Sequence, residues 1–373
     1  MKDTILFGDC KETLSEFLPQ SARTCVTSPP YYGLRDYGTA TWIGGDPNCN
    51  HRRDSKVKAE NCNTGHKNHD EMAGVGDAIY KTVCPKCGAI RQDSQIGLEE
   101  TPDEYIESLV SVFREVRNIL TDDGTLWVNL GDSYYNYRPG KGQSYPKQSV
   151  SKTKQDLPDE CNKRGNKLDG LKEKDLIGIP WLFAFAMRND GWYLRQDIIW
   201  HKPNPMPESV RDRCTKSHEY IFLFSKNKKY FYDNEAIKEP AKDWGTRDRT
   251  NGKYHNEGTG LQPHSGLTKS YPTKNKRSVW SVTVKPYKEA HFATYPPDLI
   301  EPCILAGSEE GDTVLDPFMG AGTTAAVAKS LNRHYIGCEL NEDYGNLIQK
   351  RIQDYQPVKK VAQEPCINIL DII

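Results

Sequence analysis

An α/β fold around a mixed, mainly parallel sheet is predicted by three observations. Thr313–Asp316 is a short apolar strand that passes through the glycine turn Gly320-Ala321-Gly322 into the small-residue run Thr323–Ala328, a strand–turn–helix unit. Pro102–Leu120 places Tyr105, Leu109, Phe113, Val116 and Leu120 at helical spacing, so these five are core residues, and the apolar strand Leu126–Asp132 follows. Gln196–Trp200 and Tyr220–Ser225 read as two further strands, separated by a loop that begins Trp200-His201-Lys202-Pro203-Asn204-Pro205.

From the amino terminus, Ile5-Leu6-Phe7 leads to Asp9, which can cap a helix starting near Lys11 or face a ligand. Val26-Thr27 then ends a strand in Ser28-Pro29-Pro30-Tyr31. Two prolines fix φ and remove two backbone donors, which leaves the carbonyls of Ser28 and Pro29 as acceptors for a ligand. With Tyr31 to stack on its face, the result is a stiff polar cleft suited to a flat, amino-bearing ring. In isolation the same tetrapeptide makes a strand exit or a polyproline turn.

The segment after this loop is poor in apolar residues and carries Cys49-Asn50-His51 and, about thirty residues on, Cys84-Pro85-Lys86-Cys87. Cys49, His51, Cys84 and Cys87 would make a closed tetrahedral zinc site, a structural metal that orders an insert lacking its own core. Cys62, His66 and His69 are competing ligands, and a Cys-x2-Cys pair is also used in redox chemistry. Eleven cysteines without a signal peptide or a membrane-length apolar run suggest a cytoplasmic protein with reduced thiols and no membrane partner.

Near the carboxyl end, the glycines after Asp316-Pro317-Phe318-Met319 permit close backbone approach, and the helix start offers unpaired N–H groups to an anionic group. Tyr335–Glu339 is a second strand ending in an acid, where a carboxylate can accept both hydroxyls of a ribose. Gly320 to Ala325 alone fits the dinucleotide pattern G-x-G-x-x-A, which admits a nicotinamide oxidoreductase, although the Pro-Phe insertion argues against it.

Together these segments resemble the DNA amino-methyltransferases that use S-adenosylmethionine (SAM), and the resemblance covers most of the chain. It implies a Rossmann-like domain with a seven-stranded sheet, circularly permuted as in the family's β group because the catalytic motif precedes the cofactor motif. Carried over by motif, Ser28, Pro29, Pro30 and Tyr31 are catalytic. Asp316, Pro317, Phe318, Gly320, Gly322, Thr323 and Thr324 hold the methionine end of the cofactor, Glu339 its ribose, and Asp9 its adenine. Phe292 and Thr294, ahead of a helix over Asp298–Ala306, would lie against the methionine part. Ser at the first tetrapeptide position accompanies cytosine N4 in such relatives more often than adenine N6, so cytosine is favoured and adenine is the alternative. The target base must leave the duplex to be reached.

Overall charge adds little, since 50 Lys and Arg face 51 Asp and Glu. Between Lys226 and Lys288, however, fourteen Lys or Arg outnumber the acids among interspersed aromatics. That irregular, basic stretch suits phosphate contact and base reading on double-stranded DNA, with a solvated surface insert as the plain alternative. The expected organisation is therefore 1–37 (first catalytic part), 38–97 (zinc insert), 98–225 (middle part, with a polar, mobile or disordered loop at 138–174), 226–288 (target recognition), 289–356 (SAM-binding part) and 357–373 (tail). A noncatalytic nucleic-acid-binding module would explain the insert and the basic stretch but would leave the cofactor motif idle. A companion restriction endonuclease is compatible with this class without being required, and the sequence prefers neither monomer nor homodimer.

Overall fold

The structure is a computed structural model that describes residues 2–33, 39–52, 80, 83–92, 95–135, 168, 170–241, 272–284 and 294–356. Phe292, Cys62, His66 and His69, the tail 357–373, most of the loop expected at 138–174 and the middle of the basic stretch lie outside the described residues.

In chain order the elements are β1 (Thr4–Phe7), α1 (Cys10–Thr13), β2 (Ala22–Thr27), β3 (Thr41–Ile43), β4 (Ile90–Gln92), α2 (Pro102–Ile119), β5 (Leu120–Leu130), α3 (Ile179–Asn189), β6 (Tyr193–His201), β7 (His218–Ser225), β8 (Glu239–Pro240), β9 (Thr273–Lys274), β10 (Val279–Ser281), α4 (Pro297–Gly307), β11 (Thr313–Asp316), α5 (Thr323–Ser330), β12 (His334–Glu339) and α6 (Gly345–Asp354). The main sheet has the order β1-β12-β11-β2-β5-β7-β6-β10. Only β7 runs against its neighbours, and every other adjacent pair is parallel. The sheet thus has eight strands, one more than the seven expected. The extra strand is Val279–Ser281, a β-branched and aromatic stretch that pairs with β6 and buries Trp280.

Sequence patterning explains the layers. Along β7, Phe222 and Phe224 join one core with Leu109, Phe113 and Phe183, while Ile221 and Leu223 join another with Leu299, Ile304 and Val327. Period-2 alternation with apolar residues at both phases requires helices on both faces, and α2 with α3 covers one while α4 with α5 covers the other. Helix α2 starts where predicted because Thr101 and Glu104 form a reciprocal capping box with Pro102 in the first turn. None of the helices among the described residues is long and apolar enough to cross a membrane.

The site is placed by the point where the chain reverses its direction of travel across the sheet. From β11 the chain winds through α5 to β12 on one side, and from β2 through α2 to β5 on the other. Strands β11 and β2 are neighbours, with Val314 opposite Thr24 and Leu315 opposite Cys25, so residues 28 and 317 emerge side by side despite their separation in sequence. A crevice beyond the carboxyl ends of such strands is where open α/β sheets hold ligands.

Close packing beneath this crevice depends on Gly337 in β12, where an added Cβ would lie 2.4 Å from the Asp316 carbonyl oxygen and 2.4 Å from Met319 Cε. Gly337→Ala should therefore destabilise the domain by about 1–3 kcal/mol through overpacking, read from the denaturant midpoint. An unchanged midpoint would mean that the strand shifts freely.

Candidate active site

A cleft of about 560 Å³ opens at the carboxyl ends of β2, β11, β12 and β5. Ser28, Pro29, Pro30 and Tyr31 form one wall, while Pro317, Phe318, Gly320, Thr323 and Glu339 form another, with Asp9 and Thr294 also lining it. The two distant motifs thus share one cavity, large enough for a cofactor and a base-sized group.

Asp316 joins the walls from below. Its carboxylate is 1% exposed, and four groups from separate segments donate to it. Thr27 Oγ1 and the Phe318 amide reach Oδ1 at 2.6 and 3.0 Å, and Thr324 Oγ1 and the Tyr295 hydroxyl reach Oδ2 at 2.5 and 3.1 Å. Burial raises the carboxyl above its ordinary value, and the hydrogen bonds from Thr27, Thr324, Phe318 and Tyr295 oppose that shift. Asp316, Gly322 and Thr324 were expected to touch the ligand, yet none of them lines the cleft. Asp316 and Thr324 spend their polar atoms on each other, and Gly322, at φ +80°, turns the chain into α5 against Ile348.

Glu339 occupies the far end of the cofactor wall. Its Oε2 accepts from the Gly320 amide at 2.7 Å and its Oε1 from the Asn341 amide at 2.9 Å. Burial pushes its carboxyl up to about 7, with those two amides pulling the other way. Each oxygen retains a lone pair, so a buried acid facing the cleft is matched to a pair of ligand hydroxyls. Asp9 combines the two readings of its sequence: Oδ1 accepts from the Lys11 amide at 2.9 Å as the cap of α1, and the residue also faces the cleft.

On the tetrapeptide side, the Pro30 carbonyl accepts from the Tyr105 hydroxyl at 2.7 Å, tying this loop to α2. The Tyr31 ring lies so close to Gly131 that a Cβ there would come within 2.5 Å of Cε2. Its hydroxyl lies 2.8 Å from Glu219 Oε2 and 3.1 Å from Asn129 Oδ1. Sequence reasoning read Asn129 as part of a buried strand and passed over Glu219, Lys216 and His218, all of which line the cleft. The available signal was the placement of polar residues at strand ends: Asn129 within an apolar run, and Glu219 two residues before Ile221.

The cysteine cluster belongs to the insert that follows the tetrapeptide. Cys49, His51, Cys84 and Cys87 offer ligand atoms that all lie within 4.8 Å of one another. Cys49 Sγ and Cys84 Sγ are 3.8 Å apart, and Cys87 Sγ lies 3.5 Å from His51 Nδ1. Tetrahedral zinc bonds would set sulfur–sulfur and sulfur–nitrogen separations of about 3.8 and about 3.5 Å, so the donor set fits. The supporting shell is built as well: the His51 ring stacks on Trp42 at 4.2 Å, and a Cβ on Gly45 would lie 2.8 Å from Cys87 Sγ. Thr39, Gln95 and Ile96, at the two ends of the insert, line the cleft.

A pH dependence follows from Glu339. A carboxyl raised above its unfolded value of 4.5 to about 7 binds its proton more tightly in the folded state, so its contribution to stability is full below the lower value and lost as pH rises through the upper. Glu339→Gln should flatten the fall in thermal midpoint between those values in the ligand-free protein. The same slope in wild type and variant would rule out Glu339 as its source.

Comparison with known proteins agrees with this geometry. The family model described as DNA methylase, covering N6 and N4 methyltransferases, matches residues 22–350. The Type II methyltransferase M.SmaI of Serratia marcescens is 40% identical over 93% of this chain and 90% of its own length. The Type II methyltransferase M.XycI of Xanthomonas campestris pv. cyanopsidis is 39% identical over 94% of this chain and 87% of its own length. Among solved structures, the PvuII DNA methyltransferase (cytosine-N4-specific) superposes with a TM-score of 0.53 at 15% identity, covering 96% of this chain and 89% of that one, which shows a common fold. The chain therefore belongs to the DNA methylase family and is a SAM-dependent DNA amino-methyltransferase of the β group.

Proposed function

We propose that the protein methylates the exocyclic N4 of cytosine at a specific site in double-stranded DNA, acting on a base flipped out of the helix. The observation that carries this reading is the single cleft in which Ser28–Tyr31 face Gly320 and Glu339. Ser28 at the first tetrapeptide position supports cytosine, and the PvuII enzyme of the same fold is described as cytosine-N4-specific. Relatives named Type II methyltransferases support a restriction–modification setting, with a companion endonuclease for the same DNA site.

Glu339 would hold the cofactor's ribose hydroxyls and Asp9 its adenine amino group. Pro317, Phe318, Gly320 and Thr323 would enclose the methionine end together with Thr294 and Phe292. Asp316, Gly322 and Thr324 would act one layer below by holding that loop in shape. When bound, SAM supplies a methyl group on a positively charged sulfur. The cytosine nitrogen is a poor nucleophile because its lone pair is delocalised into the ring. Hydrogen bonds from the amino group to the Ser28 side chain and the Pro29 carbonyl draw it toward tetrahedral geometry and free that pair. With that pair freed, the nitrogen would accept the methyl group that SAM supplies, and its proton would pass to the hydrogen-bond network of Ser28 or to water. No enzyme nucleophile is needed, in keeping with Cys25 and Cys338, buried thiols whose ionisation is suppressed by desolvation. Holding nitrogen and methyl in line supplies much of the acceleration.

We further propose that Cys49, His51, Cys84 and Cys87 bind a structural zinc ion that orders the insert beside the DNA cleft.

Mass spectrometry of nucleosides from treated DNA tests the reaction and its base together: N4-methylcytosine is expected, N6-methyladenine would move the activity to the alternative base, and no methylated nucleoside would refute it. Ser28→Ala should lower kcat by about 10²-fold with SAM affinity retained, since the lost contact acts on the base. Equal loss of SAM binding by calorimetry would contradict that role. Cys84→Ser should lower both bound zinc and the thermal midpoint. An unchanged zinc stoichiometry would remove the metal.

A further inference from the structure

The wall of the cleft opposite the cofactor motif holds a connected set of polar side chains that the chemistry above leaves unused. Glu219 is at its centre. Its Oε2 accepts from the Tyr31 hydroxyl at 2.8 Å and from Asn129 Nδ2 at 3.3 Å, and its Oε1 pairs with Lys202 Nζ. Lys202 in turn sits over the Trp200 ring, 4.3 Å from its centroid. Trp200, Lys202, Glu219, Asn129 and Tyr31 all line the cleft. The antiparallel register of β6 and β7 places them there, because Trp200 pairs directly with Glu219.

Glu219 and Lys202 are only 15% and 20% exposed as side chains, so this is an enclosed ion pair rather than a surface one. Removing one partner from such a pair leaves the other poorly compensated. Its outlet is Tyr31. The phenol carries one hydrogen, and the carboxylate is its closer and stronger acceptor. The close approach of Gly131 sets the plane of the ring and Glu219 holds its far end, so the side chain cannot swing away about χ1 without breaking a charge-assisted hydrogen bond. Burial first, and the Glu219 carboxylate second, push the phenol well above its usual value, while the Ser28 side chain partly opposes the shift, so the hydroxyl stays a donor.

We infer that Glu219, braced by Lys202, is the positioning residue that anchors the far end of the Tyr31 ring over Gly131 so that its face meets the extruded base. Glu219 acts through Tyr31 and need not touch the reacting nitrogen. This rests on the proposed methylation of a flipped base. It adds that stacking geometry is set by a charged network from β6 and β7, outside both sequence motifs.

A double-mutant cycle of Tyr31→Phe and Glu219→Gln tests it, with Lys202→Met as a third variant. SAM affinity by calorimetry and the thermal midpoint report on folding. DNA carrying 2-aminopurine at the target position reports on stacking, since a flipped base pressed on an aromatic ring stays quenched. Each single variant should lower kcat by about tenfold or more and brighten the 2-aminopurine signal while SAM affinity holds within about twofold. The double variant should be no worse than the poorer single, because both remove the same hydrogen bond. Additive losses, or quenching that persists in Glu219→Gln, would overturn the assignment. So would a variant that loses SAM affinity and kcat together, since that marks a general structural role. Wild-type protein that methylates no base would instead defeat the underlying reading, which keeps the two failures distinct.

Discussion

One buried carboxylate holds the working end of this molecule together. Asp316 takes hydrogen bonds from β2, from the turn after β11, from α5 and from the segment ahead of α4. A carboxylate without partners at this depth would cost several kcal/mol, and four donors offset that cost only while all four segments are in place. The requirement is therefore cooperative. Thr27 immediately precedes the tetrapeptide Ser28–Tyr31, and the Phe318 amide belongs to the glycine turn, so the two walls of the cleft are referenced to the same pair of oxygen atoms.

The rest of the site divides according to how each wall is made rigid. The cofactor wall is mostly backbone: the Gly320 and Asn341 amides aim at Glu339, and the Met319 amide bonds the Cys338 carbonyl at 2.9 Å. Backbone donors carry no side-chain rotamers, so holding them adds no rotamer entropy beyond the backbone ordering that the fold already requires. The base wall is mostly side chain, built from Tyr31, Asn129, Glu219 and Lys202. Long polar side chains hold one geometry only when each has a partner, which is why these bond to one another.

Much of this was legible in the sequence, for definite reasons. Strands β2, β11 and β12 were readable because each runs directly into a loop of strong local character: Ser28-Pro29-Pro30, Gly320-Ala321-Gly322 and an acid after a strand. The candidate ligand set Cys49, His51, Cys84 and Cys87 was legible from spacing, and the side-chain atoms do come together. The base wall was not, because Glu219 and Asn129 have no local signature and become neighbours only through the pairing of β5 with β7, in which Asn129 faces Ile221 and Leu130 faces Tyr220. The eighth strand escaped for a similar reason, since three residues at Val279–Ser281 fall below the length at which alternation can be read. Asp316 was recognised as part of a motif, but its place beneath the cleft depends on strand β2, whose Thr27 bonds it from 289 residues away.

The rim of the cleft has one further property. The Gly33 amide bonds the Gly97 carbonyl at 2.8 Å, so the chain leaves the rim and returns to it at a single stitched point. Ring-closure entropy grows only with the logarithm of the enclosed length, about 0.6 kcal/mol per doubling, so the seam tolerates a short bridge or a whole inserted module almost equally. A catalytic scaffold hemmed in this way can exchange the appendage beside its mouth without reshaping the floor where the reaction takes place.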